Sequence, residues 1–112
     1  MENSQRELKF RAWDKRFKKI VHGDAMAILY KQDSDHEIMQ YTGLKDKNGL
    51  EIYEGDIVKF SWDNKSGISE VKWEYGEWNV TDFKNKAGSL NIYNTDNEVI
   101  GNIYSNPDLL TK

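Results

Sequence analysis

The stretch from Met39 to Phe60, MQYTGLKDKNGLEIYEGDIVKF, leaves this chain few choices, because two turn signals lie between apolar runs of strand spacing. In the first, Asp46-Lys47-Asn48-Gly49, Asn48 and Gly49 tolerate positive φ and Asp46 can accept hydrogen bonds from nearby backbone N–H groups. Met39-Gln40-Tyr41 leads in and Ile52-Tyr53 leads out, which predicts a hairpin or tight corner. The second, Glu54-Gly55-Asp56, opens a strand with Val58, Phe60 and Trp62 on one face and Lys59 and Ser61 on the other. Gly55 and Asp56, like Asn48 and Gly49, are therefore read as structural turn residues.

The same rhythm continues downstream. Asp63 to Gly67 reads as a turn cluster, and Ile68 to Tyr75 as a strand with Val71, Trp73 and Tyr75 on one face. Gly76-Glu77 fits a two-residue turn with Gly in its first central position. Glu77 to Phe83, Ser89 to Tyr93 and Glu98 to Tyr104 complete five short strands joined by polar loops. A meander of this kind, from Gly55 to Tyr104, closes into a small antiparallel SH3-like barrel or sandwich. Its expected interior is Val58, Phe60, Val71, Trp73, Val80 and Ile103. Asn106-Pro107-Asp108 offers a cap, a helix-start proline and an acid, so Leu109-Leu110 should sit in a short C-terminal helical turn. The expected fold is mostly β, in a single domain over residues 1–112. It divides into an N-terminal hairpin region (8–38) and a central turn with barrel (39–112).

Upstream, Met1 to Glu7 reads as a frayed polar lead-in. Lys9 to Trp13 alternates, Asp14 to Lys19 is a charged turn, and Ile20-Val21 returns as the partner strand. Ala25 to Tyr30 tilts towards helix by its Ala, Met and Leu content and towards strand by its length and context; we read a strand. Lys31 to Glu37 is a polar loop. Charge is spread unevenly: the first twenty residues carry seven Lys/Arg against three acids, and the remainder nine against sixteen. The basic hairpin residues Arg11, Lys15, Arg16, Lys18 and Lys19 could therefore contact nucleic-acid phosphates. The preferred reading is a solvated hairpin whose lysines keep an edge strand from pairing with other chains.

Three segments carry a resemblance to a known family. They are Lys9-Phe10-Arg11-Ala12-Trp13-Asp14, the string Tyr41 to Gly49 followed by Glu51 to Val58, and Glu98 to Pro107. In that order the chain resembles the YopX family of bacteriophage and prophage proteins. Asp63 to Glu70 and Lys84 to Asn97 match no part of that pattern. The resemblance implies a small β-rich phage-encoded protein of unassigned function and brings no catalytic residues with it.

Candidate chemistry is sparse. The chain has no Cys, which removes disulfides, thiol catalysis and thiolate metal sites. Asp46, Asn48 and Glu51 suggest a calcium loop, but Lys47 and Leu50 interrupt the alternating oxygen ligands that such a loop needs. Glu51, Glu54 and Asp56 cluster without a partner His or Lys at fixed spacing, so turn chemistry is preferred over acid–base work. His22 and His36, beside Asp24 and Asp35, lack metal-ligand spacing and read as exposed loop histidines. No metal or cofactor is expected, and no enzyme motif is present. No apolar run approaches the roughly 20 residues of a membrane helix, and no signal-peptide core precedes the domain. Cytoplasmic residence in a bacterial host is the expectation. Only 38% of residues are hydrophobic yet 12% are aromatic, so large rings must supply much of the core. Trp62, Trp73 and Trp78 are accordingly expected inside, with an exposed aromatic binding surface as the alternative. The function expected is a non-enzymatic interaction module that binds a protein partner or itself, with accessory nucleic-acid binding as the alternative.

Overall fold

In the computed structural model, which describes residues 8–31 and 33–110, Phe10–Asp14 (β1) and Lys19–His22 (β2) form the expected N-terminal hairpin. The expected lead-in, Met1 to Glu7, lies outside the described residues. Asp14 builds the turn: its Oδ1 accepts from the N–H of Arg16 at 2.9 Å and of Phe17 at 3.1 Å. Ala25–Leu29 is a helix (α1), which corrects the strand expected over 25–30. Asp24 caps it by accepting from the Ala27 N–H at 2.9 Å, and helix-forming Ala, Met and Leu then suffice for one turn that buries Ile28.

His36–Lys45 (β3) and Glu51–Tyr53 (β4) are the arms of the central hairpin and complete a sheet of order β2-β1-β3-β4. Six further strands follow: Asp56–Trp62 (β5), Lys65–Glu70 (β6), Lys72–Glu74 (β7), Glu77–Asp82 (β8), Gly88–Asn91 (β9) and Asp96–Asn102 (β10). They make two antiparallel sheets, β10-β5-β6 and β7-β8-β9. The fold is mostly β, with 54% of the described residues in strands against 12% helical, and its sheets curl into a half-barrel.

The strand expected over Ile68 to Tyr75 is two strands, because Val71 turns the chain from one sheet into the other. Its backbone is held there by Asp56 and Gly55: Val71 N–H donates to Asp56 C=O at 2.8 Å, and Gly55 N–H donates to Val71 C=O at 3.0 Å. The break has a consequence for facing. Val71 is buried, whereas Trp73 and Tyr75, expected on the same face, are exposed. Trp73 is therefore not an interior residue. The turn at Asp63-Asn64 is also tighter than expected, both residues taking positive φ, and strand resumes at Lys65. The next turn is Tyr75-Gly76, not Gly76-Glu77: both take positive φ, which places Glu74 opposite Glu77.

Two adjoining cores result. Ile52, Val58, Phe60, Val71, Val80 and Ile92 are buried together, with Trp62 and Trp78 against them. Trp13, Met39, Tyr41 and Tyr53 form the second, closed by Ile20 and Tyr104. Ile103, expected inside, is half-buried beside Gly55. Pro107–Leu110 forms the expected C-terminal turn, of 3₁₀ type. Asn106 does not cap it by side chain; its Oδ1 reaches back to the Asn102 N–H at 3.3 Å.

Candidate functional site

The turn at Tyr75-Gly76 sets Trp73 directly opposite Trp78 across β7 and β8. Their ring centroids lie 4.9 Å apart at 67°, an edge-to-face pair. Trp78 packs against the core and is half-buried, whereas Trp73 is 52% exposed. One indole anchors the other and presents it to solvent. Gln40 to Gly43 of β3, together with Leu8 and Tyr93, line the same cleft as the two indoles, of about 400 Å³. Tyr93 comes from a 3₁₀ turn at Ile92–Asn94 and is 66% exposed. Asn91 holds Glu77 at the rim, its Nδ2 donating to Oε1 at 2.8 Å. The cleft thus combines an edge-to-face indole pair with fixed polar groups at one edge.

Trp62 does not belong to this surface. Its Nε1 donates to Asp82 at 2.8 Å, and Lys65 lies 4.8 Å above its ring. Of the three tryptophans expected inside or on one surface, Trp73 and Trp78 come together and Trp62 serves the core. Tyr93 and Leu8 were not legible as members, since nothing local in the sequence connects them to the β7–β8 hairpin.

The basic hairpin is largely spent on this chain's own carboxylates. Arg11 is buried, its guanidinium donating to Asp56 and lying 4.4 Å from the centre of the Tyr53 ring. Lys15 pairs with Glu37 at 2.8 Å and Arg16 with Asp35 at 3.8 Å. Lys18 and Lys19 hold no carboxylate among the described residues, and Lys19 and Arg16 flank the exposed ring of Phe17.

The central carboxylates bond the backbone and side chains around the two turns. Asp46 Oδ1 accepts from the N–H of Asn48 and Leu50 at 2.8 and 2.9 Å, and its Oδ2 from Val99 at 2.9 Å. Burial opposes its ionisation, but those three donors hold its carboxyl below the ordinary range. Asp56 bonds the Tyr53 N–H at 2.8 Å as well as Arg11. Burial raises its carboxyl above the usual range, against the pull of that pair. Glu51 is held low first by Lys9 and then by the Tyr53 hydroxyl. Burial and the Glu51 contact push Tyr53 up to about 12. His36 is not an exposed loop residue: it begins β3 with its ring buried between Asp33 at 2.8 Å and Asp14 at 3.5 Å. Among the described residues no group of His, Asp and Glu side chains is arranged to hold a metal ion. Nor is any helix there long and apolar enough to cross a membrane.

Fold and cleft together define a small antiparallel β protein that displays an aromatic surface on a curled half-barrel. A family model described as YopX protein matches residues 27–111, and the chain belongs to that family. Two solved structures are similar to it. Protein EF1440 from Enterococcus faecalis is 28% identical with a TM-score of 0.62, the match covering 95% of this chain and 99% of that one. Protein yopX from Bacillus subtilis is 22% identical with a TM-score of 0.58, covering 90% and 96%, and it shows the shared fold. No curated protein matches the chain.

Proposed function

We propose that this protein is a non-enzymatic interaction module that binds a protein partner through the cleft around Trp73, Trp78 and Tyr93. One observation carries the reading: a small, polar chain holds Trp73 half in solvent, braced edge-on against the half-buried Trp78. Exposed aromatic side chains cost solubility and contribute strongly to binding when a partner covers them. A cleft of this size, lined by Trp73, Trp78 and Tyr93, suits an apolar or extended segment of protein. In this reading β5 to β10 act as an SH3-like barrel. The gene is of phage or prophage origin, and the protein works in the cytoplasm of the bacterial host.

The test compares intact protein with Trp73→Ala and Tyr93→Ala as baits in nuclease-treated host lysate. Both substitutions lie at exposed positions, so the fold should persist by circular dichroism. A partner captured by the intact chain and lost with both variants supports the proposal. Capture that is indifferent to both substitutions, or that disappears with nuclease, overturns it. Sedimentation of the purified protein separates self-association from a foreign partner.

A further inference from the structure

A second surface shares no lining residue with the aromatic cleft. β6 lies at the edge of its sheet, paired with β5 alone. The two-residue turn at Asp63-Asn64 makes Trp62 and Lys65 a hydrogen-bonded pair, and the bonding alternates from there. Gly67 and Ser69 therefore turn their backbone groups towards β5, while Ser66 and Ile68 turn theirs outward. Among the described residues nothing bonds the outward N–H of Ser66 or Ile68. Beside this edge runs a groove of about 490 Å³ with Ile68, Phe83, Leu109 and Leu110 along it. Phe83 is 78% exposed.

Three lysines border the groove: Lys59, Lys72 and Lys84. Neither Lys59 nor Lys84 is held in an ion pair among the described residues, and Glu98, opposite Lys59 on β10, is engaged by Lys47 at 3.7 Å. Two acids also border it. Asp82 is buried and bonded to Trp62 and Asn85, which leaves the half-buried Glu70 as the one carboxylate beside three lysines. The charge offered to solvent along the groove is therefore positive, on a chain whose net charge is −3.

We propose that the outer edge of β6 is a strand-addition site for an extended, acidic segment of a partner protein. The bare N–H and C=O groups supply the ladder, the apolar groove takes the segment's alternate side chains, and the lysines attract its carboxylates. A second copy of this chain fits less well, since edge-to-edge pairing would set these lysines near one another. A nucleic-acid strand fits less well too, because the groove exposes one ring, Phe83, where stacking would need several.

The probe is a short blocked peptide of alternating glutamate and valine. Its counterpart has lysine in place of glutamate, and oligothymidylate is the third arm. Binding is read by backbone NMR on the whole chain. The expected result is binding of the glutamate peptide, with slowed exchange of the Ser66 and Ile68 amides and affinity that falls as salt rises. Ile68→Pro removes an N–H that the fold leaves unused but an added strand would need, so it should weaken binding about fivefold. If that variant does not fold, Lys59→Glu with Lys84→Glu, both at exposed positions, replaces it and should invert the preference between the two peptides. No binding at millimolar peptide, equal affinity for both peptides, unchanged exchange at Ser66 and Ile68, or preference for oligothymidylate each overturns the proposal.

Discussion

Arg11 and Asp56 meet below the protein surface, forty-five positions apart in the chain, and neither has another full charge to turn to in that contact. Removing one partner would leave the other buried and uncompensated, a change worth about 3 kcal/mol or more. Arg11→Ala should therefore lower the unfolding midpoint in urea far more than Lys18→Ala, whose exposed side chain holds no carboxylate among the described residues. Equal, small effects would show that the pair is open to water. Asp46 gives a pH dependence whose sign is fixed by its three N–H donors. Its carboxyl titrates lower in the folded chain than in the unfolded one. The stabilisation is therefore present above the unfolded value of about 3.9 and is lost as pH falls through the folded one. Asp14, Asp33, Glu51 and Asp82 are lowered as well and share that acid limb. Asp46→Asn should make stability less steep with pH over that range, measured by urea unfolding at a series of acid pH values. An unchanged slope would mean that the three N–H donors do not hold the Asp46 carboxylate in solution.

Among the elements, the central hairpin shows how far local chemistry reaches. Gly49 takes φ +87° with open space around it, so the strain of a side chain there comes from the backbone alone. Gly49→Ala should destabilise by about 1 kcal/mol, seen as a lower melting temperature. That turn was readable from Asp46-Lys47-Asn48-Gly49 because the bonds that close it, from the Asn48 and Leu50 N–H groups to Asp46, lie within five residues. The N-terminal hairpin and the C-terminal turn were readable for the same reason. The strand switch at Val71 was not, since it depends on backbone groups of Gly55 and Asp56 far upstream. Period-two counting therefore carried Trp73 and Tyr75 to the wrong face. In the cleft, the pairing of Trp73 with Trp78 followed from the short turn between them, whereas Leu8 and Tyr93 arrive through tertiary packing. Helix α1 was misjudged because its cap, Asp24, was weighed only as a possible metal ligand.

The whole molecule measures 43 × 41 × 27 Å, a flattened body with broad faces and opposed charge between its first hairpin and the rest. Nucleic-acid binding by that hairpin has little left to work with, since Arg11, Lys15 and Arg16 already face carboxylates. On duplex DNA the slope of log K against log salt should be no steeper than about −2, the share of Lys18 and Lys19, with negligible binding at physiological salt. Tight binding with a slope near −4, lost on replacing Lys15, Arg16, Lys18 and Lys19 with Gln, would restore nucleic acid as the partner. The placement of β10 also bears on how the protein is made. Synthesis runs from the N-terminus, yet β10 pairs with β5 and supplies the Val99 N–H to Asp46 across fifty-three positions. Until residues 96–102 leave the ribosome, β5 has one bare edge and Asp46 lacks a donor. The strands of β2-β1-β3-β4 and of β7-β8-β9 precede residues 96–102 in the chain, so the sheet β10-β5-β6 is the one completed late. A gene cut short before Asp96 would yield not a smaller version of this protein but a substrate for the host's proteases.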